Sequence, residues 1–117
     1  MILALAALSA AMAIAAGAFG AHGASTPQAA EWLRTGGTYQ LIHAVAILTL
    51  ARLPGLDGPG LIKPGLLLLV GSLIFAGTLY AMAVGAPRWF GAITPIGGSV
   101  MILGWLWAGW SLWNSRA

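Results

Sequence analysis

The chain has no cysteine, and its 117 residues include only five Lys or Arg and two Asp or Glu. Without cysteine there is no disulfide, no thiolate nucleophile and no Cys-ligated zinc or iron–sulfur site. The five cations, Arg34, Arg52, Lys63, Arg88 and Arg116, are scattered along the chain. They form no stripe that could track a phosphate backbone, so nucleic acid is not an expected partner. Nucleophile-elbow and phosphate-cradling glycine motifs are also missing.

What is present in quantity is apolar surface. Sixty per cent of the residues are hydrophobic and the mean hydropathy is +0.92, far from a soluble domain with about a quarter of its residues charged. The expected class is an all-α integral membrane protein with the lipid bilayer as its first partner. A hydrocarbon core ~30 Å thick takes about 20 helical residues to cross. The length therefore allows one domain, 1–117, with four spans and no soluble module.

A charge at a helix centre costs about 2.5–3.5 kcal/mol on insertion scales, so the charged residues mark the ends of spans. The gaps predict spans at about 2–21, 36–53, 61–84 and 93–113, all helical, since only helices and closed barrels satisfy the backbone in lipid. The first lacks a basic flank before its apolar run and reads as a span rather than a secretory signal. Thr26 and Pro27 predict a helix start, and Glu31, Trp32 and Arg34 a short interfacial helix before the second span. Gly36 and Gly37 either break that helix or let it run on. The segment from Pro54 to Gly60 is dense in turn formers and predicts a tight hairpin. Thr94–Pro95 repeats the cap chemistry of Thr26–Pro27.

Arg52, Lys63 and Arg116 fall on one side and Arg34 and Arg88 on the other. The positive-inside rule then puts both termini in the cytoplasm. Trp105, Trp107, Trp110 and Trp113 read as an aromatic belt at that side, with Trp32 and Trp89 at the other. Ala13/Gly17/Ala21, Gly77/Ala81/Gly85 and Gly104/Ala108 are small-xxx-small stripes suited to close helix contact. They serve either the chain's own bundle or a seam with a second copy.

His22 and His43 are the only titratable groups, tyrosine aside, expected at or inside membrane depth, where an ionisable residue is a functional candidate. His43 lies five residues beyond Thr38, ~8 Å at 1.5 Å per residue. Chain polarity brings His22, Tyr39, Gln40, His43, Thr78, Tyr80 and Thr94 toward one membrane face. Tyr39, Gln40 and His43 fall on one helical flank. Helix N-termini of the second and fourth spans, with backbone bared at Gly97 and Gly98, would favour an anionic group there. His22, His43 and Glu31 make up a two-His-one-carboxylate donor set suited to iron or zinc. No local H-x-x-x-H spacing supports it, and Glu31 can pair with Arg34 instead. The two carboxylates, Glu31 and Asp57, fall at opposite faces, which excludes an acid–base dyad.

Five motifs in order complete the pattern: Gly17-Ala18-Phe19-Gly20-Ala21-His22-Gly23; Tyr39-Gln40 with His43-Ala44; Gly71-Ser72 with Phe75, Gly77 and Tyr80; Thr94-Pro95-Ile96-Gly97-Gly98; and Gly104-Trp105. In these the chain resembles the small bacterial inner-membrane proteins of domain-of-unknown-function family 423, a group also related to a small eukaryotic transmembrane protein. The resemblance implies a four-span protein without an assigned activity. The expected role is a non-enzymatic membrane protein with a polar vestibule for a small polar or anionic ligand, a lipid headgroup or a partner protein. The alternatives are a metal- or cofactor-dependent enzyme or redox subunit using His22 and His43, and an oligomeric small-solute channel. No particular cofactor is implied.

Overall fold

The computed structural model describes residues 1–115; Arg116, which enters the count for orientation, lies outside them. Four long helices follow one another: α1 (Ile2–His22), α2 (Pro27–Leu50), α3 (Ile62–Ala83) and α4 (Thr94–Ser115). Short 3-10 turns at Pro59–Leu61 and Arg88–Ala92 lead into α3 and α4. There is no strand among the described residues.

The predicted interfacial helix and second span are one helix. Thr26 caps it, its hydroxyl accepting from the Ala29 N–H at 3.0 Å, with Pro27 at the first helical position. Gly36 and Gly37 do not break it, because both are buried against neighbouring helices. A side-chain carbon on Gly37 would lie 3.1 Å from the Ala13 carbonyl, and one on Gly36 would lie 2.7 Å from the Tyr80 ring. The two glycines are sites of close approach, with the helix held straight on both sides by its partners. Thr94, by contrast, is not the cap expected of it. It is already helical, and its hydroxyl turns to Thr78 on α3.

Each helix packs on the next in sequence, α1 on α2, α2 on α3 and α3 on α4, while α1 and α4 barely meet. Successive helices are antiparallel, as short connections demand. At one end Ile2, Ala6, Ile47, Leu50, Leu68 and Ala108 converge with Leu56, which the Pro54–Gly60 hairpin drives into the core with no exposure at all. Gly55 and Gly58 carry the positive φ angles, 85° and 96°, that let the hairpin turn there. The other end is closed by Ala29, Leu33 and Ala83 with Trp32 and Tyr80 against them.

The bundle is small inside and large outside. α1 buries Ala6, Ser9, Ala13 and Gly20 and exposes Leu8, Ile14 and Phe19; α4 buries Gly97, Gly104 and Ala108 and exposes Ile102, Leu106 and Trp110. In lipid large apolar chains gain nothing by turning inward, so helices associate through close backbone approach. The predicted stripe Gly104/Ala108 serves that contact. On α3 the contact glycine is Gly71, packed on Gly97 and Met101, whereas Gly77 stands free. α1, α3 and α4 are each long and apolar enough to cross a membrane; α2 falls short of that mark.

Candidate functional site

The polar side chains form three separate interhelical links rather than one open cluster. Gln40, fully buried on α2, donates its amide N–H to the Ser9 hydroxyl on α1 at 3.0 Å. Its carbonyl Oε1 accepts from the Tyr80 hydroxyl on α3 at 2.6 Å. One amide thereby clasps three helices. Thr78 and Thr94 share a 2.6 Å hydroxyl contact between α3 and α4. Every buried side-chain polar atom among the described residues has a partner, as a low-dielectric interior requires.

The third link is His43. Its Nε2 lies 3.0 Å from the Trp105 Nε1–H, which can only donate, and its Nδ1 lies 2.7 Å from the Tyr39 carbonyl, which can only accept. The network therefore fixes the neutral Nδ1–H tautomer. Nδ1 then carries the proton and the one ligating lone pair, on Nε2, accepts from the indole, so a metal could bind only by breaking a contact. The His43 and Trp105 rings meet edge to face at 5.9 Å, and Tyr39 sits 4.7 Å from Phe75.

Tyr39, His43 and Gln40 do share a helix, but they divide between two of its sides. Gln40 looks to α1 and α3, whereas Tyr39 and His43 look to Phe75 of α3 and Trp105 of α4. Nor is His22 part of the set. It is exposed at the end of α1. Ser9, which Gln40 holds, lies thirteen residues away, ~20 Å along a straight helix. Glu31 is exposed and paired with Arg34, whose guanidinium is pushed above its ordinary pKa by that hydrogen bond and charge. His22, His43 and Glu31 are thus not brought together, and no group of three metal-ligating side chains occurs among the described residues.

Gly97 is buried against the Phe75 backbone rather than bared to a ligand. Gly98 opens instead onto a cleft of about 400 Å³ between α2 and α4, floored by Phe75 and walled by Tyr39, His43, Met101, Ile102 and Trp105. The cleft opens on the outside of the bundle. Phe75 lies eight residues from the end of α3, ~12 Å. The Tyr39 hydroxyl makes no hydrogen bond among the described residues, and the residue is 44% exposed.

Two residues of these links, Ser9 and Trp105, are not among the site candidates that the sequence singles out. Ser9 is the one polar side chain within the first apolar run, which is a usable signal. Trp105 stands eleven residues into α4, too deep for an interfacial belt; its spacing from the end of the span carried the information.

A family model described as a protein of unknown function (DUF423) matches residues 16–98. A UPF0382 membrane protein of Staphylococcus saprophyticus is 41% identical over 105 residues, covering 87% of this chain and 88% of the relative. One of Haemophilus influenzae is 36% identical over 118 residues, covering 98% and 95%. The UPF0382 inner membrane protein YgdD of Escherichia coli is 35% identical over 108 residues, covering 89% and 82%. These descriptions name a membrane and no reaction. No solved structure matches the chain.

Proposed function

We propose that this chain, which belongs to the DUF423 family of membrane proteins of unknown function, is a non-enzymatic four-span binding protein whose α2–α4 cleft receives the polar group of an otherwise apolar ligand. The Tyr39 hydroxyl carries this reading. It stands in a lipid-facing cleft without a partner of its own, and an unsatisfied hydroxyl in hydrocarbon is costly. A ligand carbonyl or phosphate oxygen could accept from it, while Phe75, Met101 and Trp105 offer the apolar body a wall. Gln40, Thr78, Tyr80 and Thr94 position the walls from behind, and His43 holds Trp105 in place.

Two observations support the reading of four spans. α1 and α3 run parallel, since a side-chain carbon on Gly65 would touch Ile2. If both cross the membrane, α2 must return the chain across it. The low hydropathy of α2 has a local cause: Gln28, Glu31, Arg34, Thr35 and Thr38 crowd its first half, and Gln40 and His43 are paired inside the protein. The setting is a bacterial inner membrane, by likeness to the Escherichia coli relative, with both termini cytoplasmic by the positive-inside count.

The test is to compare wild type with Gly98→Leu, which fills the cleft. A side-chain carbon there meets only Phe75, at 3.8 Å, so the bundle tolerates it. Native mass spectrometry of protein extracted in mild detergent is expected to show a bound molecule in wild type that Gly98→Leu and Tyr39→Phe lose or weaken. A wild type with no bound mass, or one that Gly98→Leu retains equally, would sink the reading.

A further inference from the structure

We propose that a second site, at the Lys63 end of the bundle, binds one anionic phospholipid between α3 and α4. It is independent of the α2–α4 cleft. Lys63 and Trp107 are common to two adjoining clefts. The outer one, about 240 Å³, is a mouth edged by Pro59, Gly60 and the Ser111 hydroxyl. The inner one, about 340 Å³, is a wholly apolar trough along Leu66, Leu67, Val70 and Val100. A charged mouth opening into an apolar trough is the shape of an amphiphile with an anionic head.

The charge is available. The single ion pair among the described residues joins Arg34 to Glu31, at the other end of α2 from this site. Lys63 has no carboxylate partner among the described residues, and its ammonium sits 5.8 Å from the Trp107 ring centre. A ring face steadies an ammonium without neutralising it, leaving its three donors for a phosphate. The other charged groups described at this end are Arg52 and the Met1 ammonium, which add to the attraction, and Asp57, which lies beyond ion-pair distance of Lys63. From Lys63 to Val70 the trough runs seven residues, ~10 Å along α3, which suits the upper part of an acyl chain. A free phosphate would use the mouth and leave the trough empty, so the whole lipid is the better occupant.

One lysine near the surface of an anionic membrane adds about 1 kcal/mol of attraction, close to fivefold. The experiment titrates the purified full chain in mild detergent with phosphatidylglycerol and with phosphatidylethanolamine of the same acyl chains, read by native mass spectrometry. Wild type is expected to keep phosphatidylglycerol about fivefold better, and the preference should shrink as salt rises. Lys63→Gln should abolish it, Lys63→Arg should preserve it, and Val100→Phe should weaken retention of both lipids. Inorganic phosphate or dihexanoyl phosphatidylglycerol should compete poorly. Equal retention of the two lipids by wild type, a preference that ignores salt, or undiminished preference in a folded Lys63→Gln overturns the proposal. Efficient competition by inorganic phosphate overturns its lipid part.

Discussion

Trp105 on α4 gives its indole N–H to Nε2 of His43 on α2, two residues 62 apart in sequence, across 3.0 Å. The helices that carry them have almost no other contact. This bond is therefore the direct tie across the α2–α4 cleft, whose floor is Phe75 of α3, and with the Tyr39 carbonyl on the other nitrogen it fixes the imidazole's tautomer.

Trp105→Phe leaves a smaller aromatic ring and removes the donor. The loss expected is about 1 kcal/mol, the scale of an interhelical hydrogen bond in a membrane. His43→Ala should cost more, roughly 1–3 kcal/mol, because the indole N–H on the cleft wall then faces no acceptor within the protein. Unfolding midpoints in mixed micelles measure both. A His43→Ala protein as stable as wild type would show that the bond is not holding the cleft.

The Ser9–Gln40–Tyr80 clasp makes its own prediction. Tyr80→Phe strands the Gln40 carbonyl and Ser9→Ala strands its amide, each at about 1 kcal/mol. In a Gln40→Leu background both substitutions should become nearly neutral. A double-mutant cycle checks this; equal effects in the two backgrounds would mean that the contacts are not coupled.

Glycines with the same sequence appearance should diverge. A side-chain carbon at Gly97 would fall 2.5 Å from the Phe75 backbone nitrogen and 2.7 Å from the Gly71 carbonyl. Gly97→Ala should therefore push α3 and α4 apart at roughly 1–3 kcal/mol. Gly77→Ala meets nothing within 4 Å and should be neutral or slightly stabilising, since alanine is the better helix former. Thermal aggregation curves of the two variants, run side by side, decide it.

The absence of native cysteine makes the topology directly readable. Ser25→Cys, in the α1–α2 connection, should react with a membrane-impermeant maleimide on intact cells. Asp57→Cys, in the α2–α3 hairpin, should react only after permeabilisation. Labelling of both from the same side would mean that α2 does not cross.

Composition determined the membrane class, and apolar runs of about 20 residues determined the helical fold, because hydrocarbon admits only helices and closed barrels and a barrel strand is about half that length. Spacing of charges placed the helix ends, and the chemistry of Thr26–Pro27 placed a cap to the residue. Sequence did not decide whether Gly36–Gly37 breaks a helix, since the outcome depends on Ala13 and Tyr80 standing opposite them. It also drew one polar face where there are three links. Histidine, glutamine and tyrosine on one helix look alike in a helical projection, but α1 and α3 draw Gln40 inward while α4 takes His43. The order of packing made those assignments. Where α1, α3 and α4 are apolar all round, no amphipathic stripe announces which neighbour a given side will meet, so only the tertiary contacts separate a clasp from a cleft.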